Sequence, residues 1–263
     1  MKRIIIIGTA LAVLVGASAA YAAFNSYGGT SLTFTPKAVG SKKAPAPVAL
    51  TEVLKANAPA GDRAAPLTNI KVTIYGLVAD GKDFPKCTDA MIEANKTKYD
   101  AACPKGSLVG QAPVHSLLGP ANDPSAAKGT ACNPLEHIYN GGPGKIVFFF
   151  VNNAAHQCAT LRTGDTAPWD GTAKQVGPNL VVNVPLPPDI SDKVANQVGL
   201  YGSLITETET WFKLSKVVKG HRVGYQASVA CKGGKRPWSV QYTAQGYNNS
   251  GPETQTVTGA DKC

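Results

Sequence analysis

The chain has 263 residues, with 26 Lys or Arg against 17 Asp or Glu and a formal charge of +9. Only 16% of residues are charged while Gly (27) and Pro (19) are frequent, which excludes a helical bundle and favours a turn-rich β protein. An apolar content of 43%, with 7% aromatic residues, suffices for a packed core and excludes wholesale disorder.

Lys2 and Arg3 form a short positive start, Ile4 to Ala17 an uncharged apolar run, and Ala20-Tyr21-Ala22 the small-x-small pattern that signal peptidase accepts. The run is about 14 residues, short of the ~20 that a spanning helix needs. Residues 1–22 are therefore expected to be a cleavable signal and residues 23–263 one β-rich extracellular domain, secreted or held in the cell envelope. No Cys follows the run closely, which argues against a lipid anchor, and the longest later apolar run, Ile146 to Val151, suits a buried strand rather than a membrane span. Without Lys2 and Arg3 the balance is +7.

Ser31 to Thr35 alternates polar and apolar residues and is stopped by Pro36, which predicts a strand. Val48 to Asn57 and Asn69 to Val78 are strand-like on either side of turn chemistry from Ala58 to Pro66, and are expected to pair as a broad hairpin. Thr88 to Tyr99 reads as the one long helix, capped by Thr88 with Asp89 in its first turn. Ser107 to Val114 resumes as a strand, and residues 119–131 read as a loop. Glu136 to Tyr139 and Lys145 to Asn152 form a hairpin around Asn140-Gly-Gly-Pro-Gly144. Because Phe148, Phe149 and Phe150 are consecutive, that strand is apolar on both faces and belongs in the core. Leu180 to Leu186 is another strand, and Asp189 to Gln197 a short helix. Leu200 to Ile205, Thr210 to Val218, Val223 to Ala230, Trp238 to Gln245 and Glu253 to Thr258 complete the strands, with a tight turn at Lys219 to Arg222. The pattern predicts an all-β fold, a single antiparallel β-sandwich or half-open barrel with one short helix between Cys87 and Cys103.

Six cysteines in an exported chain read as three disulfides, out of 15 possible connectivities. Sequential pairing is expected, Cys87 with Cys103, Cys132 with Cys158 and Cys231 with Cys263, each closing a local loop worth roughly 3 kcal/mol. No Cys-x-x-Cys pair exists and no His stands at ligand spacing from a Cys pair, so no metal and no cofactor is expected.

Pro66-Leu-Thr-Asn-Ile-Lys-Val-Thr-Ile, Asp83-Phe-Pro-Lys-Cys87, Ala102-Cys-Pro-Lys-Gly-Ser-Leu-Val-Gly110, His137-Ile-Tyr-Asn-Gly141 and Cys231-Lys-Gly-Gly-Lys-Arg-Pro-Trp238 followed by Cys263 occur in that order. This order resembles an uncharacterised family of secreted, cysteine-bearing, β-rich actinobacterial proteins, with the Cys-Pro-x-x-Ser-x-x-Gly element and the final Cys pair the more specific signals. The resemblance implies export and a disulfide-bearing β fold; it supplies no catalytic residue. Cys132 and Cys158 stand outside the pattern.

Motifs for chemistry are sparse. Gly141-Gly-Pro-Gly-Lys145 superficially looks like a phosphate loop, but Ile146 follows the Lys and a strand follows the loop, which is hairpin chemistry. There is no Gly-x-Ser-x-Gly elbow and no His-Glu-x-x-His pair, and Glu136-His137 stands alone. His115, His137, His156 and His221 share no spacing; a triad would require one of them to meet Asp165, Asp170 or a Ser in space. Glu207 and Glu209 alternate beside Trp211, and are expected on a solvated strand face with one aromatic at its edge. From Thr210 to Pro252 there is no acid, yet Lys213, Lys216, Lys219, Arg222, Lys232, Lys235 and Arg236 occur there. These seven cations are the candidate binding residues for anionic envelope polymer or lipid head groups, with sheet-edge protection as the competing role. Nucleic acid is not expected, because the segment lacks interleaved aromatics and lies in the wrong compartment. The sequence thus points to a non-enzymatic envelope protein, structural or polymer-binding. The alternatives are a carrier of a hydrophobic ligand in a half-open barrel and a hydrolase with an unrecognised site; oligomeric state is left open.

Overall fold

A computed structural model describes residues 25–191, 193–194, 199–245 and 252–263. The signal-like segment therefore lies outside the described residues, as does much of the helix expected at Asp189 to Gln197, whose beginning is a turn. In chain order the first strands are β1 (Ser31–Thr35), β2 (Ala46–Pro47), β3 (Ala49–Lys55), β4 (Leu67–Tyr75) and β5 (Leu77–Ala79), followed by helix α1 (Asp89–Glu93). Next come β6 (Leu108–Pro120), β7 (Thr130–Cys132), β8 (Leu135–Gly142), β9 (Lys145–Val151), β10 (Trp169–Val176) and β11 (Asn179–Pro185). The last are β12 (Leu200–Trp211), β13 (Ser215–Val218), β14 (His221–Gly224), β15 (Gln226–Ser228), β16 (Lys235–Ala244) and β17 (Glu253–Lys262).

One antiparallel sheet runs β1-β3-β12-β6-β8-β9-β10-β11-β4-β16-β17, with β7 added to β6. It curls until its two edge strands meet. Across that seam the Phe34 amide of β1 donates to Asp261 Oδ2 of β17 at 2.8 Å, and Lys37 Nζ pairs with the same oxygen at 2.5 Å. Of the two expected architectures, the nearly closed barrel is the one found. The three disulfides join Cys87 to Cys103, Cys132 to Cys158 and Cys231 to Cys263, the sequential pairing expected. No described helix is long and apolar enough to cross a membrane.

Alternation sorts the side chains. Leu50 and Leu54 of β3, Ile70, Val72 and Ile74 of β4, Ile138 of β8, Ile146 and Phe148 of β9, Trp169 of β10, Leu180 of β11 and Val240 and Tyr242 of β16 form the main buried cluster. Phe149 and Val147 point the other way, into a second cluster with Ile92 of α1, Tyr139 and Cys87. The run of three phenylalanines is therefore buried on both faces, as expected, because α1 covers the outside of β9.

Four expectations are corrected. β3 does not pair with β4: it lies between β1 and β12, while β4 lies between β11 and β16. The expected turn is present, with Asp62 N donating to Pro59 O at 3.0 Å, but it does not fold β3 back on β4; Arg63 follows it under the surface to the carbonyls of Pro120 and Asp123, at 2.6 and 2.8 Å. The helix is shorter than Thr88 to Tyr99. Thr88 does cap it, accepting from Met91 N, but the helix ends at Ala94. Asn95 turns its side chain back onto Met91 O, and Tyr99 takes a left-handed φ of 46° before a 3₁₀ turn at Tyr99–Ala102. β6 runs on to Pro120, and β7 lies inside the expected loop. β10 carries few apolar residues and gave no strand signal, yet it pairs on both sides with β9 and β11.

The Asn140 hairpin forms as expected, with its register running from Leu135 opposite Val151 to Gly142 opposite Lys145. Asn140 itself is fully buried. Its amide N–H groups face the carbonyls of Gly81, Phe84 and Pro85 at 2.9 to 3.1 Å, and its Oδ1 accepts from Gly142 N. Truncation would strand those carbonyls away from water. Asn140→Ala is expected to lower the unfolding free energy by about 3 kcal/mol, read as a shifted urea midpoint with an unchanged slope.

Candidate functional site

Ordinary alternation would carry the inward face of β12 from Gly202 and Leu204 to Thr206 and Thr208. The register with β6 instead slips between Leu204 and Thr206, a one-residue bulge at the exposed Ile205. Beyond it the parity is reversed, and Glu207, Glu209 and Trp211 face the barrel interior. In the register, Glu52 of β3 stands opposite Glu209, Leu54 opposite Glu207 and Leu50 opposite Trp211. From the far side of β6, β8 contributes Glu136, opposite Ala112.

All four carboxyl groups are buried. Glu136, Glu207 and Glu209 each bring one oxygen within 4.8 Å of the others. The indole of Trp211 donates to Glu209 Oε2 at 2.8 Å. Glu52 Oε1 and Glu207 Oε1 have no hydrogen-bond partner, and neither has the side-chain nitrogen of Gln226, which enters from β15. The expectation of a solvated strand face for Glu207 and Glu209 is thus overturned: the same alternation serves either face, and closure of the sheet turned this face inward.

The acids lie between two cavities stacked along the barrel. The larger, about 100 Å³, is walled by Ile70, Val114, Leu118, Phe150, Leu186 and Leu204, and reaches the Cys132–Cys158 bridge, Leu161 and the exposed Arg162 at the barrel end. The smaller, about 50 Å³, is walled by Val72, Ile74, Phe148, Leu180, Trp211, Tyr225 and Gln226. Glu136 and Glu207 line both.

Burial raises every one of these carboxyls, since a charged form without water or a counter-ion is costly. Glu52 is pushed well up by burial and then by Glu209 and Glu207; Glu136 by burial and then by Glu207 and Glu209; Glu207 by burial and Glu209. Glu209 is pushed up only to about 7, because the Trp211 hydrogen bond offsets part of the burial effect. Three oxygens this close are also able to ligate a hard cation, with Glu52 the nearest further carboxylate in the register.

The sequence-derived cations are placed elsewhere. Lys213, Lys216, Lys219 and Arg222 are exposed on or beside the β13–β14 ribbon, and Lys232 and Lys235 are exposed at the turn before β16. Arg236 is not on that surface: it is fully buried, 4.5 Å from the Phe34 ring centre, and bonds Ser228. Lys145, the lysine of the phosphate-loop-like turn, pairs with Asp170 at 2.6 Å.

Of the histidines, His137 meets an acid. Its Nδ1 lies 2.5 Å from Asp100 Oδ2, which also accepts from the Tyr139 hydroxyl at 2.9 Å. Burial works to raise the Asp100 carboxyl, but the bonds from His137 and Tyr139 outweigh it and hold the group below its usual range. Among the described residues no serine and no free thiol bonds this pair, and every cysteine is oxidised. Asp165, the other acid considered, accepts from Arg162 N.

The chain matches no family model, no curated protein and no solved structure.

The glutamates have a consequence for stability. A carboxyl raised by folding contributes stability that is complete below its unfolded value and is lost as pH rises through the folded value. For Glu209 that window runs from the ordinary 4.5 to about 7, and the other three extend it upward. The urea midpoint is therefore expected to fall steadily from pH 5 to pH 8. Glu209→Gln should flatten the lower part of that slope and recover of the order of 3 kcal/mol at pH 8.

Proposed function

We propose that this chain is an exported, non-enzymatic binding protein whose barrel interior takes a small hydrophobic ligand. The observation that carries this reading is the pair of apolar cavities stacked inside the sheet, the larger of which extends to the barrel end. Natural interiors are packed to crystal-like density, and a void wide enough for several carbon atoms costs stability unless something fills it. Engineered apolar cavities of comparable size stay dry and take up benzene-sized guests. The three disulfides agree with an oxidising, extracytoplasmic setting, as does the signal-like start of the chain.

Benzene is a suitable first probe. Saturating benzene is expected to raise the melting temperature by several degrees, as mass action requires of a ligand that binds only the folded state. Leu204→Trp, which fills the larger cavity from β12, should remove that rise. Absence of any shift in the unmodified chain with either benzene or 1-butanol would end the carrier reading.

A second reading is supported by one observation, the projecting β13–β14 ribbon with Lys216, Lys219 and Arg222 exposed and Lys213 beside it. Such a ribbon would contact anionic envelope polymer or lipid head groups through charge alone. Binding to purified anionic cell wall should then weaken about tenfold between 50 and 300 mM salt, and fail in the Lys216→Glu/Arg222→Glu double variant. Salt-independent retention would show that the ribbon is not the contact.

A further inference from the structure

Resting on that reading of the interior as a ligand chamber, we propose that its occupant is an organic ammonium ion, with its charged nitrogen among Glu52, Glu136, Glu207 and Glu209 and its apolar body in the larger cavity. Three independent features converge on this class of ligand.

The first is a charge without a counterpart. Three buried carboxyls converge within 4.8 Å, with the buried Glu52 opposite Glu209 in the register, and among the described residues none of the four forms an ion pair with a Lys, Arg or His. Two of their oxygens, Glu52 Oε1 and Glu207 Oε1, accept from nothing. A barrel that needed only to be filled would place leucines here, since apolar replacements of buried acids are commonly stabilising.

The second is the unpartnered amide of Gln226. Its side chain is only 4% exposed, lines the smaller cavity, and leaves Nε2 without an acceptor. It stands on β15, in a sheet separate from the strands that carry the acids, so its vacancy is not part of their mutual repulsion. A hydroxyl or carbonyl oxygen on the guest would complete it.

The third is the wall. On the far side of Glu136 and Glu207 the larger cavity, about 100 Å³, is mostly aliphatic and aromatic, with Ser116, Asn152, Thr166 and Arg162 its polar lining. An alkyl or aryl group fills the same space favourably, while the aromatic side chains of Trp211 and Phe148 line the smaller cavity.

The charge balance follows. The guest enters as R–NH₃⁺, one carboxyl of the cluster gives up its proton to solvent, and the interior keeps the same net charge. The titratable groups facing this point are Glu52 on β3, Glu136 on β8, Glu207 and Glu209 on β12, Tyr225, and Tyr242 on β16; the exposed Arg162 is a cation lining the larger cavity at the barrel end. Burial pushes both tyrosines far above their usual range, so they stay neutral and the exchanged proton comes from the glutamates. Binding should strengthen as pH rises, because the proton that must leave does so more readily.

The test is calorimetry on the oxidised full-length chain with n-butylammonium chloride, 1-butanol, sodium butanoate and calcium chloride. Butylammonium is expected to bind at least tenfold more tightly than 1-butanol and to release about one proton, measured in buffers of different ionisation enthalpy. Its affinity should rise by up to about tenfold per unit from pH 5 to pH 7. In Glu209→Gln, and independently in Glu207→Gln, the ratio of butylammonium to butanol affinity should fall several-fold, each variant being accepted only if its circular dichroism is unchanged. Equal affinities in the unmodified chain would overturn the ammonium assignment while leaving the carrier reading intact. If neither benzene nor 1-butanol binds, the carrier reading itself fails. Calcium binding without butylammonium binding would reassign the cluster as a metal site and overturn the proposal.

Discussion

Four carboxyl groups share one low-dielectric interior, and their cost governs how this barrel is built and how it can act. Burying an unpaired carboxylate is expensive enough that the group holds its proton instead, and each neighbouring acid strengthens that tendency. The interior is therefore close to neutral at moderate pH. It becomes strongly negative only if protons leave, and a cation inside makes that affordable. The same four groups thus set a pH-dependent penalty on the fold and define which guest would relieve it.

Their placement depends on closure of the sheet. β12 lies between β3 and β6, so the inward side chains of all three strands are forced together. A bulge at Ile205 decides which side chains those are on the second half of β12. At the seam, β1 and β17 have no ladder; Asp261 bridges them by accepting from Phe34 N and Lys37. Burial raises the Asp261 carboxyl, but the Lys37 and Phe34 bonds outweigh it and keep the group below its usual range, hence charged and able to hold the seam. One acid works at the edge because it has a cation and an amide. Four others are suppressed inside because they have neither.

Much of the framework was legible in local sequence. Alternation marked β1, β3, β9, β11 and β16, because a half-buried strand needs period-two patterning whatever its neighbours are. The Asn140 hairpin was legible from its glycines, and the three disulfides followed the nearest-neighbour order. What was misread has a common cause. The β3–β4 hairpin, the long helix and the strand β10 were judged on local propensity, and each was decided by partners far along the chain: β12, the Asn95 side chain with the following 3₁₀ turn, and the β9–β11 slot. Arg236 was grouped with surface cations because its neighbours in sequence are cationic, whereas stacking on Phe34, far away in the chain, buries it.

For the candidate site the division is sharper. Glu207, Glu209 and Trp211 stood out in the sequence, since alternation put them on one face of one strand. That face is polar in composition, and by local chemistry it belongs in water. The sequence by itself determined the strands, their apolar faces and the cysteine framework, because those depend on residues near one another. Only the tertiary structure decided that the acidic face of β12 turns inward to meet Glu52 and Glu136. The reason is physical: a strand's two faces are equivalent until a sheet closes, and the facing of β12 depends on a bulge and on pairings with β6 and β3 about 80 to 160 residues away.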